Sequence, residues 1–145
     1  GIEDGLVENL IKAKTRWIQN RVQYFKSLKD KIFLDGTRSD YIRYKETALI
    51  LAENRISHFN KVYQLIINRI AIKNTKSRWG SCSKKGNLNF SYKIALLSPE
   101  LADYIIVHEL CHLQEFNHSR KFWNLVSLTI PNYKKLREKF YIPYR

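Results

Sequence analysis

The sequence has few of the residues that divide a chain into separate parts. Its 145 residues include only five glycines and three prolines, and no internal repeat, low-complexity tract or Pro/Gly/Ser-rich linker interrupts them. A chain of this size with 44% hydrophobic residues can bury one core without disulfides. We therefore expect a single domain over residues 1–145, with a helical N-terminal extension (1–40) and a core (41–145).

Cysteines and long apolar runs are also scarce. Two cysteines, Cys82 and Cys111, are too few for a disulfide scaffold. No apolar run approaches the roughly 18 residues of a membrane-spanning helix, and no secretory or transit segment is evident. We expect a reducing, cytoplasmic setting and no membrane partner.

Acidic residues are outnumbered, with 13 Asp and Glu against 26 Lys and Arg, a formal net charge of +13. Residues 41–97 hold most of the excess. A basic field of this kind attracts polyanions, although charge alone gives only non-specific attraction. Nucleic acid, bound through segment 41–97, is therefore one candidate partner.

Hydrophobic periodicity predicts helices in the first half of the chain. Apolar residues recur at helical spacing over residues 3–30. The same spacing returns from Tyr41 to Val62, where Ser39 or Asp40 would cap the helix.

After Val62 the period changes to strict alternation, which is typical of half-buried strands. Ile70 and Ile72 alternate with polar neighbours, and residues 88–94 do the same. The pair Gly86-Asn87 tolerates the positive φ of a hairpin turn. We expect a small antiparallel sheet of about three strands, whose edge at residues 79–83 or 88–94 could pair with an extended peptide.

A helix follows over residue 101 to about residue 116, opened by Ser98 as the cap and Pro99 at the first helical position. It is apolar nearly all round, as a buried helix is. Shorter helices are expected near 120–128 and 133–140. The fold class is therefore α+β.

The segment His108-Glu109-Leu110-Cys111-His112 lies on this buried helix. Two imidazoles four residues apart differ by only about 40° in direction and about 6 Å in height, so both can reach one ion. Glu109 lies between them and can reach a metal-bound water. The pattern predicts one Zn2+ per chain, with His108 and His112 as ligands and Glu109 as the general base.

A catalytic zinc site needs a third protein ligand, and His118 is the nearest candidate. On a continuous helix it would lie about 9 Å beyond His112, so the helix must end first. We expect the break at Asn117, with a positive φ or an equivalent turn there, and Ser119 capping a helix whose Phe122 and Trp123 pack against the site. Glu138, on a later helix, is the carboxylate alternative.

Other side chains are candidates for supporting roles. Asp103 or a backbone carbonyl could orient a ligand histidine. Tyr104, Tyr133 and Arg78 could stabilise an oxyanion. A purely structural zinc site would have no need of a glutamate beside its first ligand.

Four sequence blocks together resemble a known family. They are Arg78-Trp79-Gly80-Ser81-Cys82-Ser83, Gly86-Asn87-Leu88-Asn89, His108-Glu109-Leu110-Cys111-His112, and Asn117-His118-Ser119 with Phe122-Trp123. Over roughly residues 41–140 the chain resembles the YgjP-like metallopeptidase family, which is related to SprT-like proteases and other zincins. The resemblance implies a zincin-like fold with a small sheet over the active-site helix, zinc at His108, His112 and His118, and a catalytic Glu109. A metzincin is not expected, because Glu115 stands at the metzincin glycine position and the chain has no methionine.

The sequence thus favours a zinc-dependent metallohydrolase, a peptidase that acts on peptide or protein substrates with a metal-activated water. The alternative is a nucleic-acid-associated zinc protein whose segment 41–97 binds DNA or RNA, with or without proteolysis.

Overall fold

The computed structural model describes residues 37–140, which form an α+β fold, as expected. The predicted helix over residues 3–30 lies outside the described residues. The elements in chain order are α1 (Arg38–Tyr63), β1 (Arg69–Lys73), β2 (Gly80–Cys82), β3 (Asn87–Ser91), a 3-10 helix (Tyr92–Leu96), α2 (Pro99–His112), α3 (Arg120–Thr129) and α4 (Tyr133–Glu138).

Helix α1 buries one stripe of side chains against the rest of the core. The stripe recurs every three or four residues, as one face of a helix requires, and comprises Tyr44, Ala48, Ala52, Ile56 and Phe59. The helix starts slightly earlier than expected, because Thr37, rather than Ser39 or Asp40, accepts the capping bond from the Asp40 amide (3.2 Å). It ends at Gln64, whose left-handed backbone (φ 52°) turns the chain towards the sheet.

The three strands form a mixed sheet in the order β1-β3-β2, so the expected antiparallel arrangement is wrong for one pair. The β2–β3 hairpin is antiparallel, and Gly86 supplies the positive φ (87°) of its turn. However, β1 runs parallel to β3. Alternation identifies a strand but carries no information about its neighbour's direction, and here β3 inserts between β1 and β2.

Strand β3 is shorter than the alternation predicts. The Ser91 hydroxyl accepts a bond from the Lys93 amide (3.2 Å) and starts the 3-10 helix there. Tyr92 and Ile94 are still buried in the 3-10 helix. The alternation of apolar and polar residues therefore continues to residue 94, although the strand does not. A local side-chain bond of this type competes with strand pairing.

Helix α2 is buried almost all round, and it is capped by the Ser98 hydroxyl (3.4 Å from the Leu101 amide) as predicted. It packs on α1, on α3 and on β2. It stops at His112, four residues before the expected end. No helix within residues 37–140 has both the length and the apolarity to cross a bilayer.

A bidentate ion pair joins α1 to α2. The Arg55 guanidinium donates to both carboxylate oxygens of Asp103, at 2.8 and 3.0 Å. Further along, the Tyr63 hydroxyl lies beside the Cys111 thiol. The two contacts are in the same order on both helices, so α1 and α2 run side by side in the same direction.

Replacing Asp103 with alanine should lower the free energy of unfolding by about 1 kcal/mol, because a half-buried bidentate pair loses its acceptor. Urea unfolding measures this. A double-mutant cycle with Arg55→Ala should give a coupling energy of about 0.5–1 kcal/mol. Glu53→Ala, at an exposed position of α1, is the control. Additive effects of the two substitutions would show that the pair does not stabilise the helix packing.

Candidate metal centre

Helical spacing alone brings the first two histidines together. His108 and His112 lie one turn apart near the end of α2, with their Nε2 atoms separated by 3.1 Å. Both side chains are buried, with 1% and 7% exposed. The prediction that one helix face presents two imidazole nitrogens to a common point is confirmed.

His118 joins them because α2 ends at His112. Its Nε2 lies 3.0 Å from that of His112 and 3.1 Å from that of His108. Beyond the helix, the amides of Gln114 and Glu115 both bond to the Cys111 carbonyl, which closes the last turn. The predicted break before His118 is therefore present.

The positive φ expected at Asn117 is wrong, although the chain does bend at this residue. Within residues 37–140, Gln64 is the only non-glycine residue with a positive φ. The chain leaves α2 through Leu113, which keeps right-handed angles (φ −62°, ψ −25°). Because the helix stops earlier than expected, residues 113–117 form a loop long enough to return His118 without a tight reversal.

The three nitrogens form a nearly equilateral triangle that fits a metal ion. Ligand nitrogens of a tetrahedral ion with bonds of about 2.0–2.1 Å are separated by roughly 3.3 Å, close to the distances found here. Three imidazole nitrogens facing one point cannot all donate to one another. A cation accepts all three lone pairs at once.

A backbone carbonyl fixes the orientation of one imidazole. The His112 Nδ1 lies 2.9 Å from the Glu115 carbonyl oxygen. A carbonyl only accepts, so Nδ1 carries the proton and Nε2 keeps its lone pair towards the other two rings. Of the two orienting groups considered from the sequence, the carbonyl is therefore correct, whereas Asp103 bonds to Arg55 instead.

Burial also favours neutral rings. It lowers the pKa of His112 below its ordinary value, and it lowers the pKa of His118 with a smaller contribution from the positive charge of Arg137. Neutral imidazoles keep the lone pair that a metal needs.

Aromatic side chains of α3 surround the cluster. The Phe122 ring is fully buried and stacks on His112 (4.4 Å between centroids, 18° between planes). Trp123 stacks on His118 at 5.8 Å. Ser119 accepts the capping bond from the Phe122 amide (3.4 Å), as predicted. The cap sets where α3 begins and therefore where both rings meet the histidines.

Glu109 lies on the same helix, buried with 2% exposed, and packs against β2. A Cβ added to Gly80 would stand 2.8 Å from the Glu109 Cγ, so only a glycine leaves room for this carboxylate side chain. The Glu109 Oε2 has no hydrogen-bond partner within residues 37–140. Burial raises the pKa of this carboxyl well above its ordinary value, and the positive charge of Arg78 opposes that rise.

The role of Gly80 was not apparent from the sequence. A glycine inside a strand is a signal of close approach by another group. Which group approaches depends on how β2 packs on α2, and that packing is a tertiary feature.

The remaining candidates lie around this cluster. Glu138 is exposed on α4 and is not one of the three clustered side chains. Tyr133 stacks on Trp123. Tyr104 is fully buried, its pKa is raised to about 12 by burial, and its hydroxyl has no hydrogen-bond partner in the described part of the chain. The thiols of Cys82 and Cys111 form no disulfide and are not part of the three-histidine cluster.

Comparison with known proteins agrees with this geometry. A search of curated proteins found no significant match. Among solved structures, the crystal structure of the metallopeptidase zymogen of Pyrococcus abyssi abylysin is similar in fold, with a TM-score of 0.56 and 24% identity over 61% of this chain and 90% of that one.

A sequence model of the family described as YgjP-like, metallopeptidase domain, matches residues 41–141. The match covers the sheet, the three clustered histidines, and the helices that position them. The chain belongs to the YgjP-like metallopeptidase family.

Proposed function

We propose that this chain is a zinc-dependent peptidase in which His108, His112 and His118 hold one zinc ion and Glu109 is the general base. The observation that carries the proposal is the convergence of three imidazole nitrogens to within 3.0–3.1 Å of one another, with Glu109 on the same helix. The family supports the reaction class.

The donor set favours zinc among the common divalent metals. Imidazole nitrogens suit zinc, whereas calcium and magnesium prefer oxygen ligands. Three protein ligands are also the number found in catalytic zinc sites, which keep a fourth position for water or substrate. When bound, the ion supplies Lewis acidity that polarises a carbonyl and makes a water acidic enough to ionise near neutral pH.

The chain's own residues handle the proton. The Glu109 carboxylate accepts it and delivers it to the departing amine, so one carboxyl serves as base and then as acid. Phe122 and Trp123 keep the imidazoles in place and exclude water from behind them. Gly80 keeps the Glu109 side chain close to the helix face that bears the histidines.

The edge of the sheet offers a site for an extended peptide. Strand β3 is central and has no free edge, so β2 is the edge on this side. The Trp79 carbonyl and the Ser83 amide bond to β3. Since antiparallel pairing alternates, the backbone groups of Gly80 and Cys82 point away from β3. A peptide paired with them would lie beside Glu109.

Replacing His118 with alanine should weaken zinc binding by more than about 100-fold, since loss of a direct ligand costs more than loss of a group that merely orients one. Competition with a chromophoric chelator measures the affinity, and circular dichroism checks the fold. Glu138→Ala is the control and should change the affinity little. The reverse pattern would assign the third ligand to the carboxylate.

Replacing Glu109 with glutamine should lower the rate of peptide hydrolysis by about 10²- to 10⁴-fold while one zinc per chain remains bound. The amide keeps the shape of the side chain but cannot accept the proton. The measurements are cleavage of a casein or peptide substrate and metal analysis of the same sample. A fully active glutamine variant would exclude Glu109 as the base.

Replacing Gly80 with alanine should lower kcat by about tenfold or more, because the new Cβ must displace the Glu109 side chain. Zinc content should not change. Ser81→Ala is the matched control, because neighbouring strand residues point to opposite faces. Equal kcat values for the two variants would show that Glu109 does not depend on its contact with Gly80.

A further inference from the structure

Three exposed cations surround the histidine cluster, and each comes from a different part of the chain. Arg78 precedes β2, Lys84 follows β2 in the hairpin turn, and Arg137 lies on α4. None of them has a role in the proposed reaction.

The Trp123 ring links Arg137 to the histidine cluster. Its guanidinium carbon lies 4.8 Å from the centroid of the Trp123 ring, and that ring stacks on His118. Its charge reaches His118, whose pKa it helps to lower. A guanidinium held against an aromatic face keeps donors available at its edge.

Lys84 lies next to the loop that carries His118. Its Nζ is 6.0 Å from the ring centroid of Phe116, which is within that loop and is 41% exposed. Lys84 also follows the β2 edge by only two residues. It is therefore placed between the open strand edge and the His118 loop.

Arg78 stands at the other end of β2. It comes two residues before Gly80, which touches the Glu109 side chain. Its positive charge acts on the Glu109 carboxyl. The two ends of the β2 edge thus each carry one cation.

These charges are not balanced locally. The carboxylate of Asp103 is already engaged, because it bonds to Arg55. Residues 74–86 contain four basic side chains and no acidic one, and residues 113–140 contain six basic and two acidic. Charges of one sign around a site attract ligands of the opposite charge.

We propose that the site selects acidic peptides, with Arg78, Lys84 and Arg137 receiving carboxylates that flank the scissile bond. This inference rests on the proposed function, because it assumes that a peptide lies along β2. Beyond the proposed function, it specifies that the substrate peptide carries negative charge.

The positions of the cations favour a peptide over nucleic acid. Two of the charges flank one short strand edge and the third lies beside Trp123, whereas a nucleic-acid strand needs a row of cations along its backbone and free aromatic faces for its bases. The Trp123 ring is already stacked with His118 and with Tyr133 (5.0 Å). Binding of DNA or RNA by these three cations would contradict the inference.

The first test measures binding without cleavage, in the zinc-loaded Glu109→Gln protein. Three synthetic peptides share one sequence and differ only in two residues flanking the intended cleavage point, which are both Glu, both Gln or both Lys. Fluorescence titration should give the Glu peptide about tenfold tighter binding than the Gln peptide, with the Lys peptide weakest. The preference should shrink as salt rises from about 0.05 M to about 0.5 M. Equal affinities for the Glu and Gln peptides would overturn the inference.

The second test removes three charges in two matched ways. The rim variant carries Arg78→Gln, Lys84→Gln and Arg137→Gln. The control carries Arg38→Gln, Arg43→Gln and Lys45→Gln, which lie at the start of α1. Because α1 and α2 run in the same direction, these three residues are at the end remote from the histidines. Both variants lose two arginines and one lysine, and both therefore change the net charge equally.

The rim variant should lose the preference for the Glu peptide, and the control should keep it. In the protein with Glu109 restored, the rim substitutions should raise KM for the Glu peptide by about tenfold and change kcat much less. Arg78→Gln alone should give a smaller change in the same direction, because the other two cations remain. An equal loss in both triple variants would attribute the preference to total charge and overturn the inference.

A competition experiment distinguishes a nucleic-acid ligand from an acidic peptide. Together with a cleavage assay, it also shows which of the two proposals fails. If a single-stranded oligothymidylate displaces the Glu peptide and its own binding is lost in the rim variant, the rim is a nucleic-acid site and the acidic-peptide inference fails. If the Glu109→Gln protein prefers the Glu peptide but the unmodified protein cleaves none of the three, the proposed peptidase function fails and the charge preference stands.

Discussion

The arrangement of the candidate centre depends on where α2 ends. Two imidazoles on adjacent turns of a helix can share an ion, but a third ligand six residues further along must come back to the same point, so the helix has to stop. It stops at His112, the second histidine itself. The loop then has five residues in which to return His118, and the cap at Ser119 starts α3 immediately afterwards. Phe122 and Trp123 follow directly and enclose the rings.

Burial makes this geometry costly unless every polar group has a partner. A polar group moved from water to an apolar environment without a hydrogen bond costs about 2–7 kcal/mol. Here His108, His112 and Glu109 are all nearly buried, between the sheet and the aromatic side chains of α3. The Glu115 carbonyl satisfies one imidazole nitrogen, and a cation shared by three lone pairs satisfies three more. If the site is the proposed peptidase centre, the same loss of water that lowers stability also strengthens the interactions between charges during the reaction.

Strand β2 has two roles in the sheet, one on each of its edges. Its antiparallel bonds to β3 tie the strand to the core, where Leu88 and Phe90 are fully buried. No strand of residues 37–140 pairs with its other edge, and Gly80 on that strand allows the Glu109 side chain to approach. The basic residues before and after β2 place positive charge at both ends of this edge. A short strand therefore connects the packing of the core, the position of the carboxylate and the proposed choice of substrate.

Local signals in the sequence were sufficient for the parts that local chemistry decides. Ser98 and Ser119 cap their helices as predicted because a hydroxyl at that position bonds to an amide only three residues away. The spacing of His108 and His112 determines their shared helix face for the same reason. Tertiary packing decided the rest. It placed β3 between β1 and β2 with β1 parallel, turned Asp103 towards Arg55, and brought Gly80 against Glu109. Each of these depends on contacts between residues far apart in the chain, whose energies no local pattern contains.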